Sequence, residues 1–220
     1  TLAHQATELR GRVVHLQPTV WKNGFPVMGI DKDGDGTGEP VLTFNKPNLG
    51  TFPIATPPDS DEFNDNTLGL QWQWHANPKA EWAFMFPARG VLRMNSVDNV
   101  FGFNKLWQAS NLLLQKFPAE EFVATVKVTL TSRVEGETFG LMVMGANYSF
   151  ISAYKNSNYL GVQRSTAIDA DKGMIGDLGR AEPLSDDPTK PFYLRVTVAK
   201  GAVCTFSYSS DGVNFKVLGD

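Results

Sequence analysis

The sequence predicts an all-β protein whose main part is a two-layer sandwich. Short runs of alternating apolar and polar residues follow one another at the spacing of sandwich strands, with glycine-rich turns between them. No stretch shows the apolar periodicity of a helix three turns long. The 220 residues carry 20 Lys and Arg against 23 Asp and Glu, a net charge of −3. That balance argues against nucleic acid or an anionic membrane as the main partner.

Residues 1–56 are predicted to be one part of a larger β structure. Residues 12–17 alternate weakly, as a strand does, and Asn23 followed by Gly24 between two short apolar runs is typical of a hairpin turn. Residues 41–45 are a further candidate strand. Two or three such strands cannot bury a core of their own, so we expect them to need neighbours from elsewhere.

Residues 57–220 are predicted to form the sandwich. Residues 122–130 and 192–199 alternate cleanly between one apolar and one more polar face. Residues 139–144 are apolar on both faces, which predicts a central strand covered on both sides. Two strands flank a turn at residues 156–158, and Asp211 with Gly212 indicates another hairpin. Residues 167–188 are polar and rich in Gly and Asp, and we expect a long loop or an irregular hairpin there.

A hydrolase of glycosides usually needs two carboxyl groups that flank the scissile bond, one of them with a raised pKa. The acidic residues of this chain stand beside Gly, Pro or polar residues, where solvated turns explain them. We therefore assign no catalytic residue. The acidic clusters are Asp31/Asp33/Asp35/Glu39, Asp59/Asp61/Glu62, Glu120/Glu121 and Asp186/Asp187.

The loop that begins at Asp31 has two interpretations. The run Asp31-Lys32-Asp33-Gly34-Asp35-Gly36 matches the start of an EF-hand calcium loop, but the twelfth position, which needs a bidentate Glu, is Leu42. The alternatives are a tight turn between strands and a calcium site of another geometry. The three histidines show no metal-ligand spacing, so no zinc site is predicted. No other cofactor is assigned.

Aromatic residues give the remaining functional signal. Three of the five tryptophans lie within residues 68–82, where Trp72 and Trp74 alternate as side chains do on a strand. Aromatic rings either fill the core of a sandwich or pack against the apolar faces of sugar rings. The candidates for substrate contact are Trp74, Trp107 and Phe103.

Several segments resemble glycoside hydrolase family 43, which includes β-xylosidases and α-L-arabinofuranosidases. Residues 66–84 (NTLGLQWQWHANPKAEWAF) and 106–130 resemble its C-terminal sandwich. Residues 11–41 (GRVVHLQPTVWKNGFPVMGIDKDGDGTGEPV) resemble the last part of its five-bladed propeller. The resemblance implies a concanavalin A-like (jelly-roll) β-sandwich at residues 57–220, preceded at residues 1–56 by a few strands from the end of a β-propeller. We expect the chain to be cut at both ends.

The resemblance also implies an activity for the whole gene product. The family hydrolyses glycosides with inversion, using an Asp base, a Glu acid and a second Asp that tunes the acid. These residues stand on earlier propeller blades, and no position of this chain corresponds to them. The implied partners are xylose- or arabinose-containing plant glycans and the missing part of the propeller. The implied location is secreted or periplasmic, with a signal peptide upstream of this chain.

Three hypotheses follow for the role of the sandwich. The first is that it buttresses the propeller of a xylosidase- or arabinofuranosidase-like enzyme and helps to shape its substrate site. The second is a non-catalytic carbohydrate-binding module that grips glycans through exposed tryptophans. The third is a purely structural role, in which the aromatic residues face the core.

Overall fold

The computed structural model describes residues 2–7, 11–99, 105–155, 159–185, 187 and 189–219, and the side chains of all of these except residues 2–7, 11–14 and 180. The chain divides into two compact units, Thr1–Thr56 and Pro57–Asp220. Within the described ranges the helical segments are single 3-10 turns, and none of the helices found there could cross a membrane. The all-β prediction is confirmed.

The first unit consists of two antiparallel hairpins and an isolated bridge. Its strands are β1 (Leu2–Thr7) and β2 (Gly11–Leu16), which pair with each other, and β3 (Thr19–Lys22) and β4 (Phe25–Met28), which do the same. Asn23 and Gly24 join β3 to β4 with φ angles of 51° and 81°, the left-handed geometry of a type I′ turn. The Asn-Gly hairpin prediction is confirmed.

The expected strand at residues 41–45 is wrong. No strand is found in this segment, all of which is described. The backbone N–H of Val41 donates to Oε1 of Gln17 at 2.8 Å, and the Gln17 Nε2 donates to the Val41 carbonyl at 3.0 Å. The side-chain amide of Gln17 thus takes the place of a neighbouring strand, so the backbone of Val41 is satisfied without a ladder.

The first unit buries none of its large apolar side chains, as far as they are described. Its buried residues are Gln17 and Gly29, whereas every buried apolar side chain of the described chain lies in the second unit. An apolar residue that stays in water contributes no burial energy, so this unit has no core of its own. The large apolar side chains that it exposes are Leu16, Val20, Trp21, Phe25, Met28, Ile30, Leu42, Phe44, Leu49, Phe52 and Ile54.

The second unit is an antiparallel sandwich. Its described strands are β5 (Gln73–Trp74), β6 (Ala83–Phe86), β7 (Val91–Met94), β8 (Leu113–Leu114), β9 (Phe122–Val128), β10 (Thr138–Met144), β11 (Tyr148–Lys155), β12 (Leu160–Ala167), β13 (Asp177–Ser185), β14 (Phe192–Ala199), β15 (Val203–Ser209) and β16 (Lys216–Val217). One sheet has the order β10-β11-β12-β13 and the other the order β16-β15-β14-β9. The pairs β5–β8 and β6–β7 form two smaller ladders.

Alternation along the strands builds the core between the two sheets. Phe122 and Val126 of β9 pack on that core, while Val123 between them is 57% exposed, which is the pattern that the sequence predicts for this strand. The neighbouring strand β14 behaves in the same way. The buried core residues are Val128, Ile151, Ala153, Leu160, Val162, Phe192, Leu194, Val196, Val198, Phe206, Tyr208 and Leu218.

A second, smaller cluster lies on the other face of β11. Tyr148 and Phe150 alternate with the core residue Ile151, so their side chains point away from the main core. They pack with Ala167 and Ala170, and Trp107 lies against the same cluster. The sheet that contains β11 is therefore covered on both faces at this end.

One predicted element differs in the structure, and another takes one of its two expected forms. β10 is apolar on both faces and is covered on both, by the main core and by the second cluster, but it stands at an edge of its described sheet and not at its centre. Apolar residues on both faces of a strand indicate that both faces are covered. They do not indicate how many strands pair with it. Of the two forms expected after Ala167, a long loop or an irregular hairpin, the structure has the second: the nine-residue strand β13 pairs antiparallel with β12, with register shifts along the pair.

A polar contact joins the two sheets beside the core. The Tyr208 hydroxyl of β15 donates to the Glu182 carboxylate of β13 at 2.8 Å, and the same oxygen receives the Lys216 ammonium at 2.5 Å. Burial, together with the hydrogen bond to Glu182, raises the pKa of Tyr208. Because this hydroxyl donates to a carboxylate whose charge Lys216 balances, it can be buried at low cost.

Candidate functional site

A shallow cavity of about 260 Å³ opens in the second unit beside Trp74. Most of its lining is apolar, with polar groups at the rim. Pockets of drug-sized ligands span ~300–1,000 Å³, so this cavity has room for one small ring. It is lined by Asn66, Thr67, Leu68, Trp74, Lys79, Ala80, Ala83, Met85 and Leu92.

The position of Trp74 is fixed by two contacts. On β5 it pairs with Leu113 of β8, and the next residue, His75, donates its backbone N–H to the Leu112 carbonyl at 2.9 Å. Its ring meets the Trp82 ring edge-on, with centroids 5.5 Å apart and planes at 61°. Trp82 is only 3% exposed. A half-buried Trp74 therefore rests on a fully buried one.

The wall and the rim of the cavity come from two local structures. Met85 and Leu92 face each other across the β6–β7 hairpin and form the apolar wall. Two of the polar rim residues, Asn66 and Thr67, belong to the segment that follows Asp61, whose carboxylate accepts the indole N–H of Trp72 at 2.8 Å and the backbone N–H of Phe63 at 2.7 Å. These bonds tie the start of that segment to Trp72, next to Trp74 in the sequence.

Trp107 lies in a different environment from Trp74. It is half-buried in a 3-10 turn, where it packs against the cluster of Tyr148 and Phe150. The Nε2 of His75 lies 2.9 Å from the Trp107 carbonyl oxygen, and their rings meet edge-on at 6.0 Å. Since a carbonyl only accepts hydrogen bonds, Nε2 is the donor. The structure thus brings Trp107 into a side-chain cluster and not into the Trp74 cavity.

Phe103, the third predicted contact residue, lies outside the described residues. A substrate role for Trp74, Trp107 and Phe103 therefore stays a prediction. Sequence analysis did not single out Met85, Leu92, Asn66, Thr67 or Lys79. The β6–β7 hairpin is apolar on both faces, with Phe84 46% and Phe86 41% exposed, and alternation alone does not show which face lines a cavity.

The loop that begins at Asp31 brings three carboxylates together. Single ligand oxygens of Asp31, Asp33 and Asp35 lie within 4.8 Å of one another. The Asp31 carboxylate accepts a hydrogen bond from the Lys22 ammonium at 2.5 Å. It also accepts hydrogen bonds from the backbone N–H groups of Gly34 and Gly36. The hydrogen bond from Lys22 is the main cause of a lowered pKa of Asp31. A turn held by its own donors accounts for this geometry, and calcium in the loop stays a prediction.

The other acidic clusters serve similar local purposes where they are described. Glu121 accepts the backbone N–H of Lys200. Asp187 accepts both the hydroxyl and the backbone N–H of Thr189, which lower its pKa. At Asp187 such bonds stabilise the ionised carboxylate, which is the opposite of the raised pKa that a general acid needs.

Comparison with known proteins places this sandwich in a family. Residues 60–220 match the family model of the beta-xylosidase C-terminal concanavalin A-like domain. The chain belongs to this family. The predicted concanavalin A-like sandwich and the resemblance to family 43 are thereby confirmed.

Relatives of this concanavalin A-like domain protein are longer glycosidases. This chain is 28% identical to a beta-xylosidase of Formosa agariphila over 236 residues, and the alignment covers 96% of this chain and 37% of that protein. It is 27% identical to a non-reducing end alpha-L-arabinofuranosidase of Bacteroides ovatus over 163 residues, covering 72% of this chain and 29% of that protein. The chain thus spans about a third of the length of these relatives.

A solved structure shares the fold. The Bacteroides ovatus Xyloglucan PUL GH43B structure matches with a TM-score of 0.65 and 22% identity, covering 95% of this chain and 39% of that one. At this identity the match shows the fold alone. Both this match and the Formosa agariphila relative cover nearly the whole chain, so the first unit has counterparts in longer proteins.

Proposed function

We propose that this chain is the C-terminal portion of an inverting, xylosidase- or arabinofuranosidase-like glycoside hydrolase that acts on plant polysaccharides or oligosaccharides. The observation that carries the proposal is the family match of residues 60–220 together with the alignment of 96% of the chain to a beta-xylosidase. In this proposal the sandwich buttresses a catalytic β-propeller, to which the first unit belongs.

The exposed apolar surface of the first unit supports this arrangement. Trp21 and Phe25 of the β3–β4 hairpin are 72% and 74% exposed. Isolated two-stranded ladders are marginal in water, and exposed apolar patches of this kind mark an interaction surface. In our proposal the missing part of the propeller covers these side chains, so that apolar surface exposed to water becomes buried contact area.

The chemistry is assigned to the part of the protein outside this chain. Inversion needs a general acid and a general base about 6.5–9.5 Å apart, with water between the base and the sugar. The described carboxylates that we have located instead accept hydrogen bonds from turns or pair with lysines, as at Asp31, Asp61 and Glu182. The sandwich then acts by holding the propeller and shaping the wall of its substrate site.

An activity assay tests the proposal. We expect the 220-residue chain to release no 4-nitrophenol from 4-nitrophenyl β-D-xylopyranoside or α-L-arabinofuranoside above the buffer rate, because in our proposal the acid–base pair lies on the part of the protein outside this chain. The longer protein that our proposal implies should hydrolyse at least one of the two. Turnover by the chain alone, abolished by replacing one of its own carboxylates, would show that we have misplaced the chemistry. A longer protein inert towards every pentoside would refute the proposed activity.

A second candidate is a non-catalytic carbohydrate-binding module, which the cavity beside Trp74 favours. Either role suits a secreted or periplasmic location, since polysaccharide substrates lie outside the cytoplasm. We add this location to the proposal, with a signal peptide in the longer precursor. Calcium in the loop at Asp31 would belong to the first unit and take no part in either role.

A further inference from the structure

We propose that the cavity beside Trp74 binds a single pentose unit of a glycan, as a sugar-contact site within the sandwich itself. The proposal rests on the proposed function for the identity of the sugar, since pentosides are the substrates inferred there. The site itself rests on the cavity, on the fixed aromatic ring within it and on polar groups at its rim.

The division of the lining into apolar and polar parts suits a sugar. The ring of Trp74 and the side chains of Leu68, Met85 and Leu92 offer an apolar surface. The C–H face of a pyranose or furanose ring is apolar with slightly positive hydrogens, which aromatic π-faces attract. The ring edge carries hydroxyls, and these need hydrogen-bonding partners at the rim.

The rim supplies those partners. The Asn66 amide both donates and accepts, the Thr67 hydroxyl does the same, and the Lys79 ammonium donates. All three residues are exposed, and the described part of the chain shows no hydrogen bond or ion pair that occupies their side chains. They can therefore bond sugar hydroxyls without first giving up a hydrogen bond to any described residue.

The size and rigidity of the cavity point to one ring. A volume of about 260 Å³ admits a monosaccharide unit and leaves the rest of a glycan chain in solvent. Because Trp74 already packs on the buried Trp82, it loses little freedom when a ligand binds. We expect weak, millimolar binding. Such binding is useful beside a catalytic unit that acts on the same glycan, because a glycan held at one site has a high effective concentration at the other.

Titration of the 220-residue chain with xylose, arabinose, xylobiose, glucose and galactose, followed by tryptophan fluorescence and by ligand-observed NMR, tests the site. We expect saturable binding of at least one pentose, weakened about tenfold or more in Trp74→Ala. Thr67→Val and Lys79→Met should weaken it several-fold, because each removes one hydroxyl partner while keeping the shape. Trp21→Ala is the matched control, since this tryptophan is 72% exposed in the first unit, and it should bind as the unchanged chain does.

The outcomes separate this inference from the proposed function. The rim variants keep the test valid if Trp74→Ala fails to fold, because both changes are on exposed side chains. Any of three results would overturn the assignment. The first is that no sugar binds saturably, and the second is that the unchanged chain and all three cavity variants bind equally well. The third is that glucose or galactose binds more tightly than both pentoses. If the longer protein hydrolyses pentosides while the cavity binds none, the inference fails and the proposed function stands.

Discussion

Phe206→Ala is expected to lower the free energy of unfolding of the sandwich by about 3–5 kcal/mol. Phe206 lies on β15 opposite Val196 of β14 and is 1% exposed in the main core. Truncation removes the buried ring and leaves a cavity that the surrounding strands cannot fill. Since domains of this size are stable by about 5–15 kcal/mol, the loss is a large share of the total. Urea denaturation followed by near-UV circular dichroism measures it.

The control for this change lies on the same strand. Val203 is on β15 as well, but it is 64% exposed, so Val203→Ala should change the free energy of unfolding by less than about 0.5 kcal/mol. A loss for Phe206→Ala as small as that of Val203→Ala would mean that the two sheets do not enclose the core we describe.

Trp82→Ala is expected to destabilise the same unit by about 3–5 kcal/mol and also to abolish pentose binding. Trp82 is 3% exposed and meets the ring of Trp74 edge-on. Without it, Trp74 loses the surface that holds it and can fall into the space left behind. Denaturation and the sugar titration on the same variant measure the two effects, at a temperature where the variant is still folded.

Trp21→Ala again serves as the control for Trp82→Ala. Its side chain is exposed, so its removal should leave both the unfolding midpoint of the sandwich and pentose binding unchanged. A folded Trp82→Ala variant that binds pentose with unchanged affinity would show that Trp82 does not position Trp74.

Local patterns in the sequence predict the elements whose two faces differ. β9 and β14 alternate between core and exterior, and Asn23 with Gly24 fixes a turn because only left-handed backbone angles close it. Patterns fail where several causes give the same residues. β10 looks central because both of its faces are covered, and the residues of β13 fit a loop as well as an arm of an irregular hairpin, because its neighbours, not its propensity, hold it in a sheet.

The candidate site shows the same limit. A tryptophan pair in alternation pointed to Trp74, and the structure places Trp74 at a cavity. The rim residues Asn66, Thr67 and Lys79 are ordinary surface residues in the sequence, and only the tertiary arrangement brings them around one ring. The division of the chain differs in this respect, because the sequence already predicts a boundary after residue 56 and too few strands before it to bury a core.

Hydrogen exchange of the backbone amides in the 220-residue chain tests most directly whether the sandwich is the self-sufficient unit and the first unit depends on a surface outside this chain. We predict strong protection in β11, β12 and β14, whose side chains fill the core, and exchange close to the rate of an unstructured peptide in β3 and β4, which bury no apolar side chain. Protection of β3 and β4 as strong as that of β14 in this chain alone would contradict the account.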